Sequence, residues 1–266
     1  MGIGVDDHPS SCVAPGAITA PARSPHERER RDIVRIVFRA RSRYPYQRPM
    51  AQTIDAAIFD MDGLLIDSEP LWDEAKIRVF RGLGIELSPE MCAETKGFRQ
   101  ADMVRYWYDR HPWTGPTLSE VAHEIVTALC ARIEEGVRPL PGVPQALADL
   151  AARGLPLAVA SSSPARVIRA VLSSLDFAPL FRVVRSAEAE LKGKPAPDVY
   201  LSAARELGVH PHRCLAFEDS PAGVLSALAA GMRVVAVPSA TDSHLPVFDS
   251  AWLKLNSLSE FSACVM

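Results

Sequence analysis

From residue 54 onward, short apolar runs alternate with amphipathic helical stretches, and that alternation leaves the chain few architectures to adopt. The runs fall at 54–59, 157–160, 183–186, 214–217 and 233–237. Helical patterns occupy 143–153, 165–175, 198–207 and 221–230, with Gly154, Gly208 and Gly231 closing three of them and Pro221 opening the last. Proline in a first helical turn and glycine just past a last one are the expected start and stop residues. Strands and helices in strict alternation bury their apolar surface as a doubly wound parallel sheet of the Rossmann-like α/β class. One interval departs from the rhythm. Between 71 and 137 no strand is evident, and the spacing predicts helices over 71–83, 101–110 and 119–135. Inserted after the first strand, these should form a small helical cap domain over the carboxyl edge of the sheet. Its two connections are expected near 68–70 and 138–143, where Pro139, Pro141 and Gly142 cluster. The expected domains are a core over 50–70 and 138–266 and a cap over 71–137. A lid on two hinges suits a reaction from which water is excluded until the substrate is bound.

Composition narrows the partners. A chain of 266 residues, 48% hydrophobic and 23% charged, can bury a sizeable core and an accessory domain. Its formal net charge of −3 gives no reason to expect a nucleic-acid partner. No apolar run approaches the ~18 residues of a membrane span, so no membrane partner is expected either. Cys12, Cys92, Cys130, Cys214 and Cys264 are scattered without a Cys-x-x-Cys pair. An odd, dispersed set reads as reduced thiols rather than a disulfide frame. The amino-terminal stretch also lacks a charged-then-apolar secretory layout. The expectation is a cytoplasmic, monomeric protein.

The first 49 residues differ from the rest. They carry Pro15, Pro21, Pro25, Pro45 and Pro49, many arginines and no lysine, with one short apolar stretch at 33–38 that Arg35 interrupts. Such a segment buries too little to offset its ordering entropy. An organelle presequence, a basic nucleic-acid arm and a non-native translated leader all fit, although Glu27, Glu29 and Asp32 count against the first. Met50 stands as a natural start just ahead of the first strand, which favours the leader. The segment is expected to be disordered and to carry no chemistry.

The first strand ends in Asp60-Met61-Asp62-Gly63. Carboxylates leaving a strand at the carboxyl edge of an open α/β sheet stand where ligands bind. Two of them, two residues apart, can share a divalent cation and divide the roles of nucleophile and acid. Taken alone, the tetrapeptide also fits a solvated turn or part of a calcium loop, though Leu64 occupies the place of that loop's third acidic ligand. Three further polar clusters follow. Ser161-Ser162-Ser163-Pro164 precedes a helix, where hydroxyls and free N–H groups form an anion site or simply cap the helix. Lys194 stands in Gly193-Lys194-Pro195-Ala196-Pro197, where two prolines stiffen the backbone. Its ammonium is a point charge for a phosphoryl oxygen or a carboxylate, or else a solvated surface group. Lys192 competes for that role without the rigid support. Glu218-Asp219-Ser220 follows the fourth run; adjacent carboxylates repel unless a cation or a partner compensates. That segment could cap a helix, or could bring Asp219 close to Asp60 in an oxygen-only site suited to Mg²⁺. Jointly, the clusters converge on one sheet edge and spell phosphoryl transfer through an aspartyl-phosphate.

The order Asp-x-Asp-Gly, serine, Lys-Pro, Glu-Asp resembles the haloacid dehalogenase superfamily of phosphohydrolases over residues 54 to about 260. The unbroken string from Ala57 to Trp72, with Trp107-Tyr108 and Pro112-Trp113, is similar to bacterial sugar-phosphate phosphatases of the hexitol phosphatase and 2-deoxyglucose-6-phosphatase type. The resemblance implies a Mg²⁺-dependent phosphomonoester hydrolase acting on a small phosphorylated metabolite. It assigns Asp60 as nucleophile and Asp62 as general acid and base. It places Mg²⁺ on Asp60, the Asp62 carbonyl and Asp219, with Glu218 holding metal waters. Phosphate would contact Asp60, Met61, Asp62, Ser161, Ser162 and Lys194, which neutralise the transferring group. In the cap, Gly97-Phe98-Arg99 matches a loop reaching toward the site, so Arg99 is a candidate for sugar hydroxyls or an exposed arginine without a role. Trp72, Trp107 and Trp113 either shape a sugar pocket or belong to the cap's core. A sugar phosphomutase shares the whole constellation, but relatives of that kind carry histidine where this chain has Trp72. Dehalogenases and phosphonatases lack the second aspartate. A non-catalytic binding protein on the same fold is the remaining alternative.

Overall fold

The computed structural model describes Met1 and residues 53–95 and 98–261. The expected amino-terminal extension, and Gly97 of the cap loop, lie outside the described residues.

The apolar runs form strands β1 (Ala56–Phe59), β2 (Leu157–Ser161), β3 (Phe181–Ser186), β4 (Cys214–Glu218) and β5 (Arg233–Ala236), joined by a two-residue β6 (Leu253–Lys254). They make one all-parallel sheet in the order β3-β2-β1-β4-β5-β6. Every residue of β1, β2 and β4 is buried, which is why those runs show no polar alternation. Strand β3, at the edge, does alternate. Helices α5 (Val143–Ala152) and α6 (Ala165–Ser174) cover one face. Helices α7 (Asp198–Leu207) and α8 (Pro221–Ala229) cover the other.

Strand order reverses beside β1, whose neighbours are β2 on one side and β4 on the other. A crevice opens at such a switch point, outside the carboxyl ends of the strands. Phe59 pairs with Phe217 across β1 and β4, and their rings stack with centroids 4.3 Å apart and planes 1° from parallel. That contact sets the ends of the two strands level. Asp60 and Glu218 then emerge side by side.

Four helices fill the interval between β1 and α5: α1 (Glu69–Gly82), α2 (Pro89–Ala93), α3 (Gln100–Arg110) and α4 (Leu118–Glu134). Helix α4 starts with a capping box, Thr117 and Glu120 satisfying each other's backbone N–H groups. Phe80 meets Trp107 and Trp113 edge-on at 6.4 and 5.8 Å, and both indoles are buried. These two tryptophans are core residues of the helical insert. The chain enters and leaves the insert along adjacent paths: Leu140 N donates to Leu65 O at 2.9 Å, and Ile66 bridges Pro139 antiparallel.

Two elements escape the sequence patterns. Helix α2 and strand β6 span five and two residues, too short to display a period. Among the described residues no helix is long and apolar enough to cross a membrane.

Phe217→Ala removes half of the stacked pair beneath the carboxyl edge. It is expected to lower the unfolding free energy by about 3–5 kcal/mol, the usual cost of truncating a buried phenylalanine, as measured by urea denaturation.

Candidate active site

The backbone places the first motif. Asp60 N donates to Phe217 O at 3.0 Å, carrying the β1–β4 ladder one residue past the strand. The Met61 carbonyl then accepts from Leu64, Leu65 and Ile66 N in a tight turn, while its side chain is buried in the core. Gly63 takes a left-handed conformation at φ +78°, and a Cβ there would lie 2.1 Å from Asp219 Oδ2. Only glycine suits both the φ and the approach.

Lys194 spans the two strand ends. Its Nζ donates to Asp60 Oδ1 and to Glu218 Oε1, each at 2.6 Å, with 4% of the side chain exposed. Glu218 is fully buried and fully engaged. Tyr200 Oη donates to its Oε1 at 2.8 Å, while Ser220 Oγ and the Asp219 and Ser220 N–H groups donate to Oε2 at 3.0–3.2 Å. Glu218 thus orients the ammonium. Ser226 Oγ holds the Ala196 carbonyl at 2.6 Å and anchors the proline-stiffened loop to α8.

Burial pushes the Asp60 carboxyl above its ordinary range; Lys194 pulls against that rise, and Glu218 and Asp62 add to it. Burial acts to lower the Lys194 ammonium, but Asp60 and Glu218 outweigh it and hold the group protonated well above its ordinary range. Burial and Glu218 push the Tyr200 phenol well up, leaving it a neutral donor.

Four donors converge on Asp62. Ser68 Oγ and Trp72 Nε1 reach Oδ1 at 2.5 and 3.2 Å. Ser163 Oγ and Ser161 Oγ reach Oδ2 at 2.6 and 3.1 Å. The Ser161 hydroxyl also accepts from Ser163 N at 3.0 Å, so its first partner is the carboxylate rather than an open anion site. Ser162 is half-buried and lines the cavity. Arg99, expected toward the sugar, lies along a different seam. Its guanidinium pairs with Asp102 at 2.7 Å, reaches Glu190 O at 3.5 Å, and its methylenes pack over Gly193.

A cavity of about 280 Å³ opens between the sheet edge and the helical insert. Asp60, Asp62, Ser162, Lys194 and Asp219 line its floor, and Trp72, Lys76, Thr95 and Gln100 line its roof. Of the three tryptophans singled out by sequence, Trp72 alone faces this space. Ser68, Tyr200 and Lys76 carry no local sequence signal and are brought in by the fold, while Ser163, part of the serine cluster, is committed to Asp62 rather than to an open anion site.

The donor set fits a hard divalent cation. Carboxylate oxygens of Asp60, Glu218 and Asp219 lie within 4.8 Å of one another. Buried carboxylate oxygens this close together are hard donors of the kind a divalent ion takes.

The comparisons with known proteins agree with this geometry. The chain belongs to the haloacid dehalogenase-like hydrolase family, whose model matches residues 57–237, and it is a phosphatase. Hexitol phosphatase B of Escherichia coli is 43% identical over 209 residues, covering 78% of this chain and 94% of its own. Hexitol phosphatase A of the same organism is 35% identical over 207 residues, covering 77% and 92%. A mutant of CbbY from Rhodobacter sphaeroides, crystallised with xylulose 1,5-bisphosphate, superposes with a TM-score of 0.72 at 27% identity, over 78% of this chain and 96% of that one.

Gly223 leaves room for the Glu218 carboxylate; a Cβ there would fall 1.8 Å from Oε1. Gly223→Ala is expected to displace Glu218 from Lys194, cost about 1–3 kcal/mol of stability through overpacking, and reduce kcat about tenfold or more. Steady-state kinetics and thermal melts on the same preparation check both effects.

Proposed function

We propose that the protein is a Mg²⁺-dependent phosphomonoester hydrolase acting on small sugar or polyol phosphates through an aspartyl-phosphate. The observation that carries this reading is the Asp60 carboxylate at the cavity floor, with Oδ1 held by Lys194 at 2.6 Å. A fixed carboxylate with its second oxygen uncommitted to that ammonium is a nucleophile in position for in-line attack on phosphorus. The Asp60–phosphorus bond forms as the bond to the sugar oxygen breaks. Lys194 stays charged and neutralises the equatorial oxygens, where catalysis of phosphoryl transfer is concentrated.

Asp62 serves as the proton carrier. It gives a proton to the leaving oxygen in the first half-reaction and takes one from the attacking water in the second. To do so it exchanges one of its four donors for the reacting oxygen. Asp60, Asp219 and the Asp62 carbonyl would hold Mg²⁺, which when bound supplies positive charge against the phosphoryl group. Glu218 stands behind them as the group that aligns Lys194. Ser162 and the Met61 backbone complete the phosphate cradle. The insert over 71–137 acts as a cap that excludes water.

The substrate class rests on two hexitol phosphatases among the relatives and on the mixed polar roof of the cavity. Trp72, in place of a histidine, favours hydrolysis over mutase chemistry. The buried free thiols Cys92, Cys130 and Cys214 support a reducing compartment such as the cytoplasm.

Asp60→Asn is nearly isosteric and cannot form the acyl phosphate. Its turnover is expected to fall at least about a hundredfold, ~2.7 kcal/mol of barrier, with an unchanged circular dichroism spectrum. A folded variant retaining more than that would remove Asp60 as nucleophile. In a parallel measurement with p-nitrophenyl phosphate, EDTA should abolish turnover, Mg²⁺ restore it, and excess Ca²⁺, with its looser coordination, suppress it. Full activity in chelator would rule out the proposed cation site.

A further inference from the structure

The roof of the cavity holds a charged group that the chemistry just described does not use. Lys76, on α1, is 5% exposed and lines the same cavity as Asp60 and Asp62. Lysines are almost never this buried unless paired. Its Nζ forms an ion pair with Asp73 Oδ1 at 2.7 Å, one turn earlier on the same helix, and reaches the Cys92 carbonyl at 3.5 Å, the limit of a hydrogen bond. An ammonium has three N–H donors. Asp73 and Cys92 take two at most, so donor capacity remains at a wall of the cavity.

The charge around Lys76 decides what that capacity suits. Asp73 already compensates the ammonium, so the pair presents a hydrogen-bond donor with little net charge. A second phosphate or a carboxylate on the substrate would find no net positive charge in that pair. A neutral hydroxyl needs only the donor. Thr95 and Gln100 beside it offer further neutral donors and acceptors.

We propose that Lys76 is a specificity-determining residue: locked by Asp73, it donates to a hydroxyl on the substrate's carbon chain and selects phosphomonoesters with an uncharged polyhydroxyl tail. The inference rests on the reading of the site as a sugar or polyol phosphatase and adds to it the group that reads the tail. Asp73 works through Lys76 as a positioning residue, fixing the ammonium and cancelling its attraction for anions.

Hydrolysis of a hexitol 6-phosphate, a sugar bisphosphate and p-nitrophenyl phosphate, which has no hydroxyl tail, tests this in the full chain with Mg²⁺ present. For Lys76→Met, the ratio of kcat/KM for the hexitol phosphate to that for p-nitrophenyl phosphate is expected to fall about tenfold to a hundredfold, the range for a lost hydrogen bond to a charged donor. Lys76→Gln keeps a donor with less burial penalty. It should recover part of that ratio, and it carries the test if the methionine variant does not fold. Asp73→Asn should move preference toward the bisphosphate. An equal loss on all substrates would show that Lys76 merely ties α1 to α2 and would overturn the assignment, as would an unchanged ratio. A wild-type enzyme that cleaves p-nitrophenyl phosphate yet spares every hydroxyl-bearing phosphate would overturn the substrate class and Lys76 together. One that cleaves hexitol phosphate while the variants keep its selectivity would overturn Lys76 alone.

Discussion

The Lys194 ammonium, enclosed between Asp60 and Glu218, is the contact on which the rest of the site depends. Desolvating a charge costs several kcal/mol, repaid only by close opposite charges and complete hydrogen bonding. Here the repayment comes from two carboxylates at 2.6 Å, and the second of these is itself saturated by Tyr200, Ser220 and backbone N–H groups. Each participant comes from a different element: the end of β1, the end of β4, the loop before α7, and α7 itself. The ion cluster therefore closes only when β1 and β4 are in register and α7 is docked. Assembly of the sheet and assembly of the chemistry are one event.

Much of this was legible in the sequence, for a physical reason. A fully buried parallel strand must be a continuous apolar run, and the polar residue that ends it must lie at the sheet edge. Asp60, Asp62 and the Glu218–Asp219 pair could be placed by that logic without knowledge of their neighbours. Lys194 was marked by its prolines. The doubly wound order followed from alternation, and the insert from its interruption.

What stayed hidden was whatever depends on a partner distant in the chain. Ser163 reads as one more serine at a helix entrance until the fold sets it 2.6 Å from Asp62, across 101 residues. Tyr200 is an ordinary aromatic on an amphipathic helix until Glu218 arrives beneath it. Arg99 shows the opposite hazard. A partner three residues away, Asp102, was present in the sequence at i,i+3 spacing, and local pairing of that kind competes with any reach toward a ligand. Ser161 and Glu218, placed correctly at the edge, each turned out to be engaged by protein groups, which position alone does not reveal.

The glycines flanking the acidic pair bear on how such a site can vary. Asp219 occupies the space that a side chain at position 63 would take, and Glu218 the space that one at position 223 would take. Each carboxylate is in effect the missing side chain of a glycine elsewhere in the fold. Four positions spread over 161 residues thus behave as two inherited characters rather than four. In sequence space, a side chain at either glycine collides with its carboxylate, and shortening Glu218 first forfeits its contact with the Lys194 ammonium. A change at one member of either pair therefore calls for a matching change at the other.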